Sequence, residues 1–530
     1  MKRFVSHLAP LVLVVALAVL VVQCGGYGLA PAGARWATRG ELAHDPLAQQ
    51  EPWDREQYDK IDENPFIAVS AHPRSTFSID VDRASYANVR RFLLDGKAPP
   101  KDAVRIEELV NYFPYSYEEP KGDAPVALNA EVGPAPWRTQ HRLVRIGLQA
   151  KRLELGEAPP ANFVFLLDVS GSMQPANKLP LLQRAFALLV EQLRPKDRVA
   201  IVVYAGAAGL VLPSTPGTEK GQILEAIDGL EAGGSTAGGA GIRRAYAEAV
   251  ANFIPGGNNR VILATDGDFN VGVSSDGEMV RLIEEKRETG VFLTVLGFGE
   301  GNLQDAKMQK LAQYGNGNYA YIDSPLEARK VLVHELGGTL YTVAKDVKIQ
   351  VEFNPSRVRA YRLIGYENRL LRDEDFADDT KDAGDIGSGH SVTALYEVIP
   401  AGVESDVAVR GLDPLRYQQA TTEPRDGSGE LLYVQVRYKT PQGERSQLLS
   451  LPVREDGTAA QTDDFRFQAA VAEFGLLLRQ SQYRAGADWG RVAEVARATL
   501  GRDPDGYRAE FVRLVDGARQ IHLAHGDGGR

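Results

Sequence analysis

Asp168, Ser170 and Ser172 fall on alternate residues of the run Asp168-Val169-Ser170-Gly171-Ser172. A carboxylate and two hydroxyls at that spacing in a tight turn can face one point. Hard oxygen donors of this kind suit Mg²⁺, which takes oxygens in an octahedron and keeps some of its waters. Two further turns offer the same chemistry. Gly233-Gly234-Ser235-Thr236 carries a hydroxyl at Thr236, and Thr265-Asp266-Gly267 carries a carboxylate at Asp266. Each has a plainer reading, since Ser and Thr cap helices and Asp-Gly makes turns. Five oxygen donors in three turns of matching context favour a shared ion.

The turns need elements to position them. The apolar run Phe163–Leu167 precedes the first turn, and Lys178 to Leu193 has helical spacing after it. Ile242 to Phe253 is helical after the second turn, and Arg260–Thr265 is a buried-type strand before the third. Further strands are expected at Arg198–Tyr204, Val291–Gly297 and Tyr319–Ile322, with an edge strand at Gly209–Leu212. Strand–helix alternation with continuously apolar strands predicts a doubly wound, mostly parallel sheet covered on both faces. Ligand sites of such sheets form at the carboxyl ends of the strands, so the three turns should share one edge.

The set Asp168, Ser170, Ser172, Thr236 and Asp266 resembles the metal-ion-dependent adhesion site of the von Willebrand factor type A domain, matching all five positions. The resemblance implies that Ser170, Ser172 and Thr236 hold the ion directly, while Asp168 and Asp266 act largely through water. It implies Mg²⁺, with Mn²⁺ or Ca²⁺ as alternatives, and one coordination position for an acidic side chain of a partner protein. A second resemblance is to bacterial secreted proteins that flank a type A domain with characteristic amino- and carboxy-terminal regions. Phe77–Leu93, Arg105–Phe113 and Asp463–Phe474 carry it.

The chain has 530 residues, which suggests about three domains. Its 44% hydrophobic and 25% charged residues are ordinary for globular protein. A net charge of −10 without a basic stripe argues against nucleic acid as a partner. No phosphate loop, H-E-x-x-H or Cys/His cluster occurs, and the Gly233–Ala237 stretch lacks the last glycine of a nucleophile elbow. No base accompanies the oxygen donors, so an enzyme is not expected. A metal-assisted hydrolase would need a His nearby, and the nearest in sequence, His141 and His334, lie outside the three turns. A structural envelope component with a purely stabilising metal is the other alternative.

Lys2, Arg3 and the apolar run Leu8 to Val22 read as a secretory signal. The lone cysteine, Cys24, follows with Gly25 and resembles a bacterial lipoprotein acylation site, although Gln23 stands where a small residue is usual. Cleavage after Ala32-Gly33-Ala34 and an uncleaved anchor are the alternatives. All three place the chain outside the cytoplasm, in a cell envelope and tethered in two of the cases.

Residues 25–74 read as a flexible tether. Residues 75–158 read as a helical region plus strands at Val126–Val132 and Arg142–Leu148. Residues 159–338 form the α/β domain. Residues 339–462 alternate apolar and polar in short runs, as an antiparallel sandwich does, with Leu395 on the wrong face. Two earlier strands are too few to stand alone, so they are expected to complete this sandwich, with the α/β domain inserted in it. Residues 463–530 are helical. Asp80 and Asp82 read as outward strand positions and a helix cap, and Asp373–Asp375 with Asp378–Asp379 as a solvated loop.

Overall fold

The computed structural model describes residues 56–153, 159–234, 238–267, 276–335, 341–411, 429–441, 443–455 and 460–526. Regular structure begins with β1 (Phe66–Ala68), β2 (Arg74–Ser78), α1 (Ala84–Leu94) and α2 (Ile106–Val110), then the hairpin β3 (Val126–Ala135) and β4 (Arg138–Ala150). The α/β segment runs β5 (Ala161–Asp168), α3 (Leu179–Glu191), β6 (Arg198–Tyr204), β7 (Ala208–Pro216), α4 (Lys220–Asp228), α5 (Gly238–Ala251), β8 (Asn258–Thr265), α6 (Asp276–Arg287), β9 (Phe292–Phe298), α7 (Asp305–Tyr314), β10 (Tyr319–Ile322) and α8 (Pro325–Arg329). There follow β11 (Thr342–Phe353), β12 (Val358–Ile364), β13 (Leu370–Leu371), β14 (Gly384–Gly387), β15 (Ser391–Pro400), β16 (Val409–Arg410), β17 (Glu430–Lys439) and β18 (Gln447–Arg454). The last helices are α9 (Asp463–Leu478), α10 (Trp489–Ala498) and α11 (Tyr507–Gly526).

The α/β sheet has the order β10-β9-β8-β5-β6-β7, parallel except for the edge strand β7. Alternate residues of β5 enter two cores. Phe163, Phe165 and Leu167 pack with α3 on one face, and Val164 and Leu166 pack with α5 on the other. That two-sided burial explains why the strand is apolar throughout.

The sandwich consists of the sheets β16-β1-β12-β15-β4-β3 and β13-β2-β11-β17-β18, with β14 paired to β11. β4, which precedes the α/β segment, pairs antiparallel with β15, which follows it. The α/β segment is therefore an insertion in a sandwich. Leu395 is explained by a third layer: Val144, Ala394 and Tyr396 face the second sheet, whereas Leu143 and Leu395 face the helices α2, α9 and α11. With both faces covered, β15 has no solvent-facing side.

Two expectations are corrected. Residues 66–68 are not tether: β1 pairs with β12 and β16 inside the sandwich, and Phe66 is buried. Asp82 is not an outward position or a cap. It is buried, accepts from the Tyr319 amide at 2.8 Å and the Arg369 guanidinium at 3.1 Å, and so joins the sandwich to β10. The residue before α1 makes no side-chain cap. Within the acidic stretch 373–379, Asp375 is buried and receives Arg372, while Glu374 is exposed.

α1 is buried along almost its whole length because it is shared. Ala84 and Ala87 pack on the α/β sheet; Tyr86, Val89 and Leu93 pack with the carboxy-terminal helices. Arg90 on α1 binds Asp323, Glu327 and Glu510. Arg105 pairs with Asp305 on α7 at 2.6 Å and also with Glu108. Buried guanidinium groups hold only with such partners, so the insertion is fixed to its neighbours by charge as well as by apolar contact.

Candidate functional site

β5 and β8 are hydrogen-bonded neighbours that end side by side. Their carboxyl ends present Asp168 and Asp266, both fully buried. Asp168 Oδ1 accepts the Ser170 amide at 2.9 Å, which curls the chain into its turn. Its Oδ2 accepts the hydroxyls of Tyr204 at 3.0 Å and Thr265 at 3.1 Å. Burial pushes the Asp168 carboxyl upward, against the hydrogen bonds from Ser170 and Tyr204 that draw it down, and burial wins.

Ser170 Oγ and Ser172 Oγ lie 3.1 Å apart. Adjacent corners of an octahedron of oxygens about 2.1 Å from Mg²⁺ are separated by about 3 Å. Neither hydroxyl caps a helix. The short turn Gly171–Met173 starts without a side-chain cap, and α3 starts seven residues beyond Ser172 with none either. A hydrogen bond also links the Ser172 side chain to Asp266. The structure thus brings Asp168, Ser170, Ser172 and Asp266 to one edge.

Thr236 lies outside the described residues. The backbone just before it is bonded to the first turn: Gly233 N donates to Val169 O at 2.8 Å, and Gly171 N donates to Gly234 O at 3.1 Å. Gly234 has φ +79°, a left-handed conformation that glycine tolerates. Cys24 and the leader also lie outside the described residues.

Sequence reasoning missed Lys178. Its ammonium is buried, donates to Asp266 Oδ2 at 2.8 Å and reaches Asn302 Oδ1 at 3.2 Å. Burial would raise the Asp266 carboxyl, but Lys178 holds it below the ordinary carboxylate range. A lysine just ahead of a long apolar helix, six residues after Ser172, was the available signal. Tyr204, Thr265 and Asn302 carried none.

The loop 299–304 borders this edge. Gly267 has φ +99°, and a Cβ there would stand 2.6 Å from Gln304 N. The start of the described chain is clasped to the same loop. Gln57 N donates to Leu303 O at 3.0 Å, and Glu56 Oε1 accepts the Gly301 amide at 3.0 Å. Glu56 Oε2 receives Arg91 at 2.8 Å.

His141 and His334 do not serve the edge. His141 is on β4 in the sandwich, bonded to Glu397; His334 lies in the π-helical stretch Lys330–Glu335 that follows α8. Among the described residues no three His, Cys, Asp or Glu side chains converge to hold a metal. The donors at the edge are two hydroxyls and two carboxylates, one of them facing a lysine. Such a set fits a small hard cation that retains water.

The fold and this edge define a von Willebrand factor type A domain, and the family described as "von Willebrand factor type A domain" matches residues 162–333. The families "von Willebrand factor" and "Uncharacterized protein YfbK, C-terminal" match residues 52–145 and 338–521. The chain belongs to the YfbK family: it is 46% identical over 468 residues to "Uncharacterized protein YfbK" of Escherichia coli strain K12, covering 87% of this chain and 80% of that protein. It is 28% identical to "Uncharacterized protein sll0103" of Synechocystis over 36% of this chain and 44% of that protein. Among solved structures, the von Willebrand factor type A protein from Catenulispora acidiphila is similar at 17% identity and TM-score 0.38, over 70% of this chain and 87% of that one.

Proposed function

We propose that this protein binds a partner protein through a divalent cation at the edge formed by β5 and β8. Asp168, Ser170, Ser172, Thr236 and Asp266 would hold Mg²⁺, Mn²⁺ or Ca²⁺. The cation supplies a positive centre with a coordination position for the partner's Asp or Glu. The observation that carries this reading is the 3.1 Å spacing of the Ser170 and Ser172 hydroxyls between two buried carboxylates, with neither hydroxyl engaged in capping. We read the role as adhesive rather than catalytic, since neither histidine that could act as a base serves this edge. The amino-terminal segment with Cys24 would tether the protein outside the cytoplasm, at the cell envelope.

The test is calorimetric titration of Mg²⁺ into the wild type and Asp168→Ala, with circular dichroism as the control for folding. Wild type should bind and the folded variant should not. Partner capture from envelope extracts should be lost in EDTA and return with Mg²⁺. Equal Mg²⁺ affinity in the two proteins would sink the site. Equal capture of one envelope partner by wild type and Asp168→Ala in EDTA would reduce the metal to a stabilising role.

A further inference from the structure

His141, which has no part in the metal edge, belongs to a second constellation in the sandwich. Its Nδ1 lies 2.6 Å from Glu397 Oε1, and its Nε2 lies 2.9 Å from Ser405 Oγ. By strand alternation His141 and Glu397 fall on the same face as Leu143 and Leu395, on the paired strands β4 and β15. Glu397 Oε2 receives Trp137 Nε1 and Arg362 Nη2, each at 3.0 Å, which leaves Oε1 for the imidazole. An ionised carboxylate accepts only, so Nδ1 carries a proton, and in the neutral imidazole the lone pair is then on Nε2. That lone pair faces the Ser405 hydroxyl.

The parts are held in place. His141 is fully buried, with the edge of Phe66 at 5.6 Å from its ring. Val403, Val407 and Val409 pack the Ser405 loop onto Phe66, Ile399 and Tyr483. The Val407 amide lies 3.4 Å from Ser405 Oγ. Ser405 itself is half-buried. With His141 it lines an open groove of about 410 Å³ that also takes in Arg138, Gln140, Glu404 and Asp406. Across the groove the Arg138 guanidinium is ion-paired with Asp406.

We propose that Ser405, His141 and Glu397 form a nucleophile relay that hydrolyses carboxylic esters, a second site independent of the edge formed by β5 and β8. Carboxylate, imidazole and hydroxyl in that order, ending at an open groove, are what activation of a serine requires. Ser405 Oγ bonds to the ester carbonyl carbon as its proton passes to His141 Nε2. The bond to the alcohol oxygen breaks, and Nε2 returns the proton to that oxygen. Water then attacks the acyl carbon and gives its proton to Nε2. The bond to Oγ breaks, the hydroxyl is re-formed with that proton, and a carboxylic acid leaves. Gln140 lines the groove, and its side-chain amide is the N–H donor for the charge that develops on the carbonyl oxygen, since Arg138 is held by Asp406. Ser405 and His141 are catalytic residues; Glu397 acts through His141 and is a positioning residue.

The test treats the full-length protein with a fluorophosphonate probe and, separately, with p-nitrophenyl acetate. The expected result is a covalent adduct mapped to Ser405 and ester hydrolysis that falls roughly 10²-fold or more in Ser405→Ala, both unchanged by EDTA. Glu397→Gln should shift the pH profile of labelling at Ser405, which a merely structural carboxylate would not do. A folded wild type that gives no adduct at Ser405, or ester hydrolysis equal in Ser405→Ala, overturns the proposal.

Discussion

Lys178 shows what the edge formed by β5 and β8 does with charge. Two buried carboxylates at the ends of neighbouring strands repel, and the lysine ammonium offsets one of them. Removing one partner of a buried pair costs about 3–5 kcal/mol, because the other charge stays buried. Lys178→Met is therefore expected to lower thermal stability without divalent cation, and added Mg²⁺ should recover more stability in the variant than in wild type. Thermal melts with and without Mg²⁺ measure this; an equal loss in both conditions would show that no cation reaches Asp266. Asp168, Ser170 and Ser172 were legible as donors in the sequence because a turn places its own residues, and Asp266 because the apolar run before it marks the end of a buried strand. Lys178, Asn302 and Tyr204 were not, since their contacts are made across loops and strands that only the folded sheet brings together.

At the scale of elements, the junction after α8 is held by ions. Glu335 pairs with Arg83 and with Lys330. Burial alone would raise its carboxyl, but Arg83 and Lys330 bring it from 4.5 down to about 2. A carboxylate depressed in the folded state contributes stability that is complete above its unfolded value and is lost as pH falls through the folded one. Glu335 should therefore cost stability between about pH 4.5 and pH 2. Glu335→Gln should flatten the acid limb of a urea-melt series over that window, and an unchanged limb would exclude this role. The strands and helices of the α/β segment were readable from their runs, because two-sided burial writes a continuous apolar pattern. β1 was not, because three residues are too short to show any period. Leu395 broke the alternation because the helices that cover β15 come from distant parts of the chain.

For the whole molecule, the insertion was legible because two strands could not be stable alone, whereas the burial of α1 between two cores left no local mark beyond its own amphipathic spacing. Attachment is the remaining question at this scale. No helix among the described residues is long and apolar enough to cross a membrane. If Cys24 carries lipid, Cys24→Ser should release the protein from the membrane fraction and abolish acyl labelling. Retention of the variant, with no lipid on the wild type, would mean an uncleaved anchor. The clasp of residues 56 and 57 on the loop 299–304 then acquires a mechanical meaning. A pull on the amino-terminal side, resisted by a partner at the metal edge, would not load the sandwich first. It would load a few hydrogen bonds at Gly301 and Leu303, beside the loop that packs on Gly267. Tension would arrive at the rim of the binding edge, so bond lifetime under force should change when the clasp is cut. Glu56→Ala in a single-molecule pulling measurement reads this directly, and identical lifetimes for the variant and wild type would place the load elsewhere.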